Sequence, residues 1–267
     1  TRKESSAASD VYKRQIEWAS MLCDFGVDVT VIEYADRILP TEDADISKEM
    51  QTQLVKKGIT IITGAKVLPD TLAKGDTVSI QAEKDGEKQT YSAEKMLVSV
   101  GRQANVEGIG LENTDIQVEN GFIVTNSMYQ TKESHIYAIG DVIGGLQLAH
   151  VASHEGITAV EHIAGENPHA IDYSLVSKCI YSSPEAASVG LTEDEAKAQG
   201  KSVKVGKFPF QAIGKALVYG EADGFVKIVA DRESDDILGV HMIGPHVTDM
   251  ISCLLYTSPS PRDRQKS

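Results

Sequence analysis

Residues Ser134-His-Ile-Tyr-Ala-Ile-Gly-Asp141, followed by Gly144-Gly145 and Leu148-Ala149-His150, carry the most specific chemistry in the chain. Ile136 to Ile139 reads as a short buried strand delivering a glycine and then a carboxylate to its carboxyl end, where α/β sheets bind nucleotides. Gly140 lets a ligand approach the backbone, and Asp141 can accept hydrogen bonds from sugar hydroxyls; the chemistry implied is capture of a polyol. A second carboxylate, Glu33, ends the β-branched run Asp28-Val-Thr-Val-Ile-Glu33. Before that run stands a helix-spaced segment, Ile16 to Phe25, with a stop at Gly26. Helix, glycine, strand and acid in that order form the back half of a Rossmann unit, whose terminal acid binds the adenosine ribose of NAD. A carboxylate at Glu33 repels the extra phosphate of NADP, so NAD is favoured, and the nearby Arg37 reads as a solvated loop residue.

The elements needed to hold these residues are legible around them. Asp43 or Asp45 can cap a helix with Ile46, Met50 and Leu54 on one face, closed by Lys56-Lys57 and Gly58. Ile59 to Thr63 is a further strand, and Val78 to Ala82 and Gln89 to Tyr91 alternate around the hairpin signal Asp85-Gly86. Met96 to Val100 is a buried run leading into Gly101-Arg102. Asn105 to Leu111, Ile116 to Val118 and Phe122 to Val124 suit loops and short strands. Leu148 to Ala164 is helical, with Val151, Ala152, Ile157, Ala159, Val160 and Ile163 as a broad apolar face. Beyond residue 173 strands outnumber helices: Lys178 to Val189, a capping box at Thr192 to Glu195, a stop at Gly200, then strands Val203 to Phe208, Gly224 to Asp231 and Ile237 to Gly244. An antiparallel sheet with helices on one side is expected there. Phe208-Pro-Phe210 and Gly239 to Pro245 are apolar enough for a subunit contact, or equally for core strands.

Thr131 through Asp141 resembles the second flavin-contacting motif of the pyridine nucleotide-disulfide oxidoreductases, flavoproteins with two dinucleotide-binding domains. The resemblance spans Ile16 to Ser252, and the order of segments agrees with it. It implies an α/β fold: a Rossmann-like NAD domain over 16–103, part of a Rossmann-like FAD domain over 104–172, and an α+β dimerisation domain over 173–252. It implies FAD at Gly140, Asp141, Ala149 and His150, with Asp141 on the ribityl chain, the Ala149 backbone on the isoalloxazine, and the positive start of the helix facing the pyrimidine edge. It implies NAD at Glu33, Val67 and Gly101. Within the family the chain most resembles enzymes that reoxidise dihydrolipoamide, carried on a lipoyl-bearing acyltransferase of a 2-oxo acid dehydrogenase complex, and that work as homodimers. Mercuric- or glutathione-reductase-like members and a non-catalytic dinucleotide-binding module are the alternatives. The family's redox Cys-x4-Cys and its acid-base His-Pro lie in segments that this sequence does not contain, so no catalytic residue is assigned and no turnover is expected of it alone.

The two ends read differently. Asp10-Val-Tyr-Lys-Arg-Gln15 back-translates as GAT GTG TAT AAG AGA CAG, whose reverse complement, read from its second base, encodes Cys253-Leu-Leu-Tyr-Thr-Ser258. Unrelated protein ends are not inverse complements, and the pair resembles a sequencing adaptor with outer arms at Ser5 to Ser9 and Pro259 to Asp263. Residues 1–15 and 253–267 are therefore expected to be non-native. Of 26 Lys and Arg, seven lie in these ends, as do three of 39 Asp and Glu, which takes the net charge from −13 to −17. So acidic a surface disfavours nucleic acid and anionic membranes as partners. No apolar run suits a membrane span, and the cytoplasm is the default location. Cys23 and Cys179, the other cysteines, form no Cys-x-x-Cys pair and read as small core residues. His150 and His154 share a helix face, but no second ligand cluster accompanies them, and no metal is expected.

Overall fold

The computed structural model describes residues 9–255. The outer arms of the adaptor-like ends therefore fall, except for Ser9, outside the described residues. The chain divides into two compact units: Val100–Val176 make up most of one, and Tyr12–Ser99 with the residues from Ser177 onward the other. The segments expected at 16–103 and 173–252 thus lie mostly within a single unit.

In that larger unit α1 (Ser9–Asp24) leads through Gly26, at φ 82°, into β1 (Thr30–Ile32). Next, α2 (Ala44–Lys56) is capped by Asp43, whose side chain accepts the Asp45 amide at 3.0 Å. Ile46, Met50 and Leu54, at four-residue spacing, form its buried stripe. The helix returns the chain to β2 (Thr60–Ile62), which pairs parallel to β1 in the register Val31 to Ile61. Then β3 (Lys66–Lys74), β4 (Val78–Lys84) and β5 (Glu87–Ala93) make an antiparallel sheet. Asp85 and Gly86 both have positive φ, 52° and 83°, as a two-residue turn matching the strand twist requires.

Met96 to Val100 is not a strand: Leu97, Val98 and Val100 are exposed. An extended apolar run becomes a buried strand only when neighbours accept its backbone hydrogen bonds, and no described strand pairs with it.

The smaller unit holds the hairpin β6 (Val118–Glu119) and β7 (Phe122–Ile123), a 3₁₀ turn over Gly140–Ile143, and α3 (Ala149–Ile163). Val151, Glu155, Thr158 and Ala159 form the buried face of α3, whereas Ile157, Val160 and Ile163, expected on that face, are exposed. The stripe is therefore narrower than composition suggests.

The remainder of the larger unit comprises β8 (Lys178–Ile180), β9 (Glu185–Gly190), α4 (Glu193–Ala198), β10 (Val203–Pro209), α5 (Gly214–Tyr219), β11 (Phe225–Asp231), β12 (Ile237–Gly244) and α6 (Val247–Leu255). Its strands form an antiparallel sheet in the order β10-β11-β12-β9-β8. Alternation sorts the side chains. Ile180, Ala186, Phe225 and Ile243 join a core with Ile16, Ile46, Met50 and Leu54 of α1 and α2; Val189, Val240 and Met242 pack with Phe210 and with Val247 and Ile251 of α6. The sheet is thus covered on both faces, not on one as expected, because α1 and α2 supply the second layer. Of the two readings of these apolar runs, burial favours core strands over a subunit contact for most of their residues. Met242, Ile243 and Phe210 are buried within the fold, and of Phe208 and Phe210 only Phe208 is exposed.

Thr192 accepts the Glu195 amide at 3.1 Å while the Glu195 carboxylate accepts the Thr192 amide at 2.8 Å, the capping box expected before α4. Thr192→Ala should cost about 1 kcal/mol. The urea midpoint followed by fluorescence of Trp18, the single tryptophan, checks this, since Trp18 lies in the same unit.

Candidate functional site

Ile136 to Ile139 does not form the expected strand. The Thr131 amide donates to the Ile136 carbonyl at 2.9 Å and the Ala138 amide to the Tyr129 carbonyl at 3.0 Å, with one isolated bridge between Gln130 and Tyr137. A short hairpin takes the place of the expected buried strand, and Thr131 pins it by donating its hydroxyl to the Ile136 carbonyl at 2.9 Å. Its outgoing arm still delivers Gly140 and Asp141 to the start of a helix.

Gly140 takes φ 73°, and a Cβ there would meet the Ala152 Cβ of α3 at 3.2 Å, so the turn lies directly on the helix. Its amide donates to Glu155 Oε2 at 2.6 Å. Asp141 follows with its backbone carbonyl accepting from Gln147 Nε2 at 3.2 Å and its half-exposed carboxylate paired with Arg102. The start of α3 stands beside this turn. Its N-cap, Leu148, offers no side-chain hydrogen bond, and Ala149 and His150 are exposed. The opening amides of a helix carry partial positive charge, so this end suits an electron-rich ligand edge.

In the other unit Glu33 ends β1 beside the carboxyl end of β2, its amide donating to the Ile62 carbonyl at 2.8 Å. The side chain is buried, and Oε1 accepts the Ala35 amide at 2.8 Å. Burial pushes its carboxyl above the ordinary value, and the amides of Ala35 and Tyr34 offset part of that rise. The Ala65 amide donates to the Glu33 carbonyl at 3.0 Å, which brings the Ala65-Lys66-Val67 segment to the same end; Val67 is half-buried in β3 opposite Ala82. Glu33 and Val67 therefore converge. Gly101, exposed, belongs to the unit of Asp141, and its neighbour Arg102 pairs with that aspartate.

Sequence reasoning missed Glu155 and Lys227. Glu155 occupies the buried face of α3, four residues from both Val151 and Ala159, where an ionisable group must find partners. Lys227 lies between Phe225 and Val229 on the inward positions of β11, with Asp43, Asp45 and Glu193 each at 2.8 Å from its Nζ. In both cases the signal was a charge interrupting an apolar period.

The residues at the turn fit a flavin: a carboxylate open to polyol hydroxyls, a glycine that lets the ligand approach, and helix amides without a side-chain cap. Comparison with known proteins bears on the same region. The family model for pyridine nucleotide-disulphide oxidoreductases matches residues 16–156, more than half the chain, and that for their dimerisation domain matches 176–256. The chain belongs to the pyridine nucleotide-disulphide oxidoreductase family. Among curated relatives, dihydrolipoyl dehydrogenase of Bacillus subtilis is 82% identical over 238 residues, covering 89% of this chain and 50% of that protein. The Rhizobium etli enzyme of the same name is 43% identical over 237 residues, covering 88% and 49%. The chain thus spans about half the length of the curated relatives it matches. Among solved structures, LpdA of Mycobacterium tuberculosis superposes with a TM-score of 0.83 at 27% identity, covering 91% of this chain and 52% of that one. The HOCl-induced flavoprotein disulfide reductase RclA of Escherichia coli gives 0.82 at 28%, covering 91% and 55%. The fold is accordingly α/β: a Rossmann-like NAD domain, part of a second Rossmann-like FAD domain, and an α+β dimerisation domain, as expected from the sequence.

Proposed function

We propose that the chain is part of a dihydrolipoyl dehydrogenase serving a 2-oxo acid dehydrogenase complex. The observation that carries this reading is the 82% identity to the Bacillus subtilis enzyme over 238 residues, 89% of the chain. The complete protein oxidises dihydrolipoamide on a lipoyl-bearing acyltransferase, and its redox disulfide, FAD and NAD supply the electron path. The residues in this chain bind and orient. Asp141 accepts the ribityl hydroxyls, Gly140 admits the ligand to the backbone, and Ala149 and His150 present the start of α3 to the pyrimidine edge. Glu33 accepts the adenosine ribose hydroxyls of NAD, Val67 lies on the adenine side, and Gly101 passes under the nicotinamide ribose. The redox cysteines and the acid-base histidine belong to the rest of the protein. It acts as a homodimer in the cytoplasm; no described helix is long and apolar enough to cross a membrane.

A flavin disulfide reductase acting on another substrate shares the fold, as the RclA likeness illustrates, but at 28% identity against 82%. The deciding experiment assays the complete protein encoded at the same locus. Dihydrolipoamide-dependent NADH formation with a bound flavin spectrum is the expected result; turnover of glutathione disulfide or mercuric ion in its place would sink the reading. Within the same site, Glu33→Ala should weaken NAD binding about tenfold, as loss of a hydrogen bond to a charged group does. Titration of NADH fluorescence measures it, and unchanged affinity would remove Glu33 from the site.

A further inference from the structure

The buried carboxylate of Glu155 and two tyrosines beyond it are used by nothing described above. We propose that Glu155 is a positioning residue for the flavin-binding turn, seated by Tyr173 and Tyr129, and that it fixes the direction in which Asp141 faces its ligand. The inference rests on the flavin reading of Asp141.

Glu155 is 2% exposed and each oxygen takes one donor: Oε2 the Gly140 amide at 2.6 Å, Oε1 the Tyr173 hydroxyl at 2.9 Å. Because Tyr173 spends its proton on Glu155, the 3.1 Å contact with Tyr129 must be a donation from the Tyr129 hydroxyl. A directed chain results, Tyr129 to Tyr173 to Glu155, ending on a peptide plane. Burial, then the contacts with Tyr129 and Glu155, holds the Tyr173 hydroxyl far above its ordinary pKa, so it stays a donor throughout the working pH range.

The peptide so held joins Ile139 to Gly140, one residue before Asp141. Gly140, with φ 73°, turns its N–H toward α3, where Glu155 meets it, while Gln147 Nε2 holds the Asp141 carbonyl from the other side at 3.2 Å. With the backbone gripped at the Gly140 amide and at the Asp141 carbonyl, Asp141 leaves the turn in one direction. Its carboxylate, paired only at the surface with Arg102, is left to meet a ligand. A hydrogen bond to a buried ionisable side chain is among the stronger single contacts a turn can have.

The test uses the complete protein and four variants of it. Glu155→Ala should speed hydrogen exchange at the Gly140 amide at least tenfold, with the amides of Val151 and Ala159 unchanged, and should weaken FAD binding about tenfold as followed by flavin fluorescence. Tyrosinate absorbance should show Tyr173 ionising at lower pH. Glu155→Gln keeps an acceptor for Gly140 and can donate its amide to the Tyr173 oxygen, so it should rescue most of the FAD affinity. Tyr173→Phe should fall between, and Tyr129→Phe closest to the parent. Should Glu155→Ala fail to fold, Tyr173→Phe set against Glu155→Gln carries the same comparison. Unchanged Gly140 exchange in Glu155→Ala and in Tyr173→Phe overturns the clamp; faster exchange with unchanged FAD affinity overturns its positioning role. Failure of the complete parent protein to bind FAD defeats the flavin reading, and with it the positioning role, while exchange still reports separately whether the clamp exists.

Discussion

Replacing Lys227 with methionine should cost about 3–5 kcal/mol of folding stability, although it exchanges one side chain for another of similar length. Its ammonium is 2% exposed and bonded to Asp43, Asp45 and Glu193, of which Asp43 is also 2% exposed. Removing the cation leaves Asp43 as a buried charge without its counter-ion, at the N-cap of α2 where it organises the helix start. Trp18 fluorescence against urea measures the loss, and a shift under 1 kcal/mol would sink the argument. Adding Asp43→Asn should recover part of it, since the second substitution removes the stranded charge. The pH dependence carries a sign. Burial opposes ionisation of Asp43, but the Lys227 hydrogen bond and the amides of Asp45 and Glu193 outweigh it and hold the carboxyl below its ordinary value; bonds from Lys197 and Lys227 hold Glu193 down likewise. Carboxyls depressed by folding contribute stability above their ordinary values, 3.8 and 4.5, and lose it as pH falls through the folded ones. In the variant the Lys227 share of this contribution is missing, so the gap between parent and variant should narrow on acidification. His241, packed in the same region, is kept neutral chiefly by burial. Its lowered pKa makes both proteins lose stability as pH falls below 6.5.

The positions where sequence and structure part have a common physical origin. Elements that close their own hydrogen bonds were legible: the Asp43 cap with Ile46, Met50 and Leu54, the Asp85-Gly86 hairpin, and the Thr192 to Glu195 box. Each is fixed within sixteen residues. Met96 to Val100 and Ile136 to Ile139 were not, because an apolar run becomes a buried strand only when neighbouring strands accept its backbone groups. The helical face of α3 was drawn too wide for the same reason: apolar character says what can be buried, and packing partners decide what is. Asp141 and Glu33 could be picked out by residue type and position at the ends of apolar segments. Glu155 and Lys227 were passed over although the sequence marks both, as charges on the inward period of a helix and of a strand. Reading such interruptions as buried ion pairs or clamps, rather than as surface residues, would have found them.

Gly224→Ala should be the most damaging of the single-methyl additions in the sheet, at about 3 kcal/mol or more. Two costs combine there. Gly224 has φ 116°, a backbone conformation that L side chains rarely adopt, and its new Cβ would stand 2.0 Å from the Ile243 carbonyl oxygen and 3.0 Å from the Gly244 Cα. All the close atoms are backbone, so no side chain can rotate away. Relief requires β11 to move from β12 at the pair Phe225 to Ile243, two residues that belong to the core shared with α1 and α2. Gly86→Ala separates the two costs. Gly86 has a similarly left-handed φ, 83°, but a Cβ there meets nothing within 4 Å, so only the conformational cost of about 1–2 kcal/mol should appear. Urea midpoints of the two variants, read through Trp18, should differ by at least the contact cost at Gly224. Equal losses would mean that the strands yield at no expense, and that the close approach of β11 to β12 does not hold α1 and α2 on the sheet.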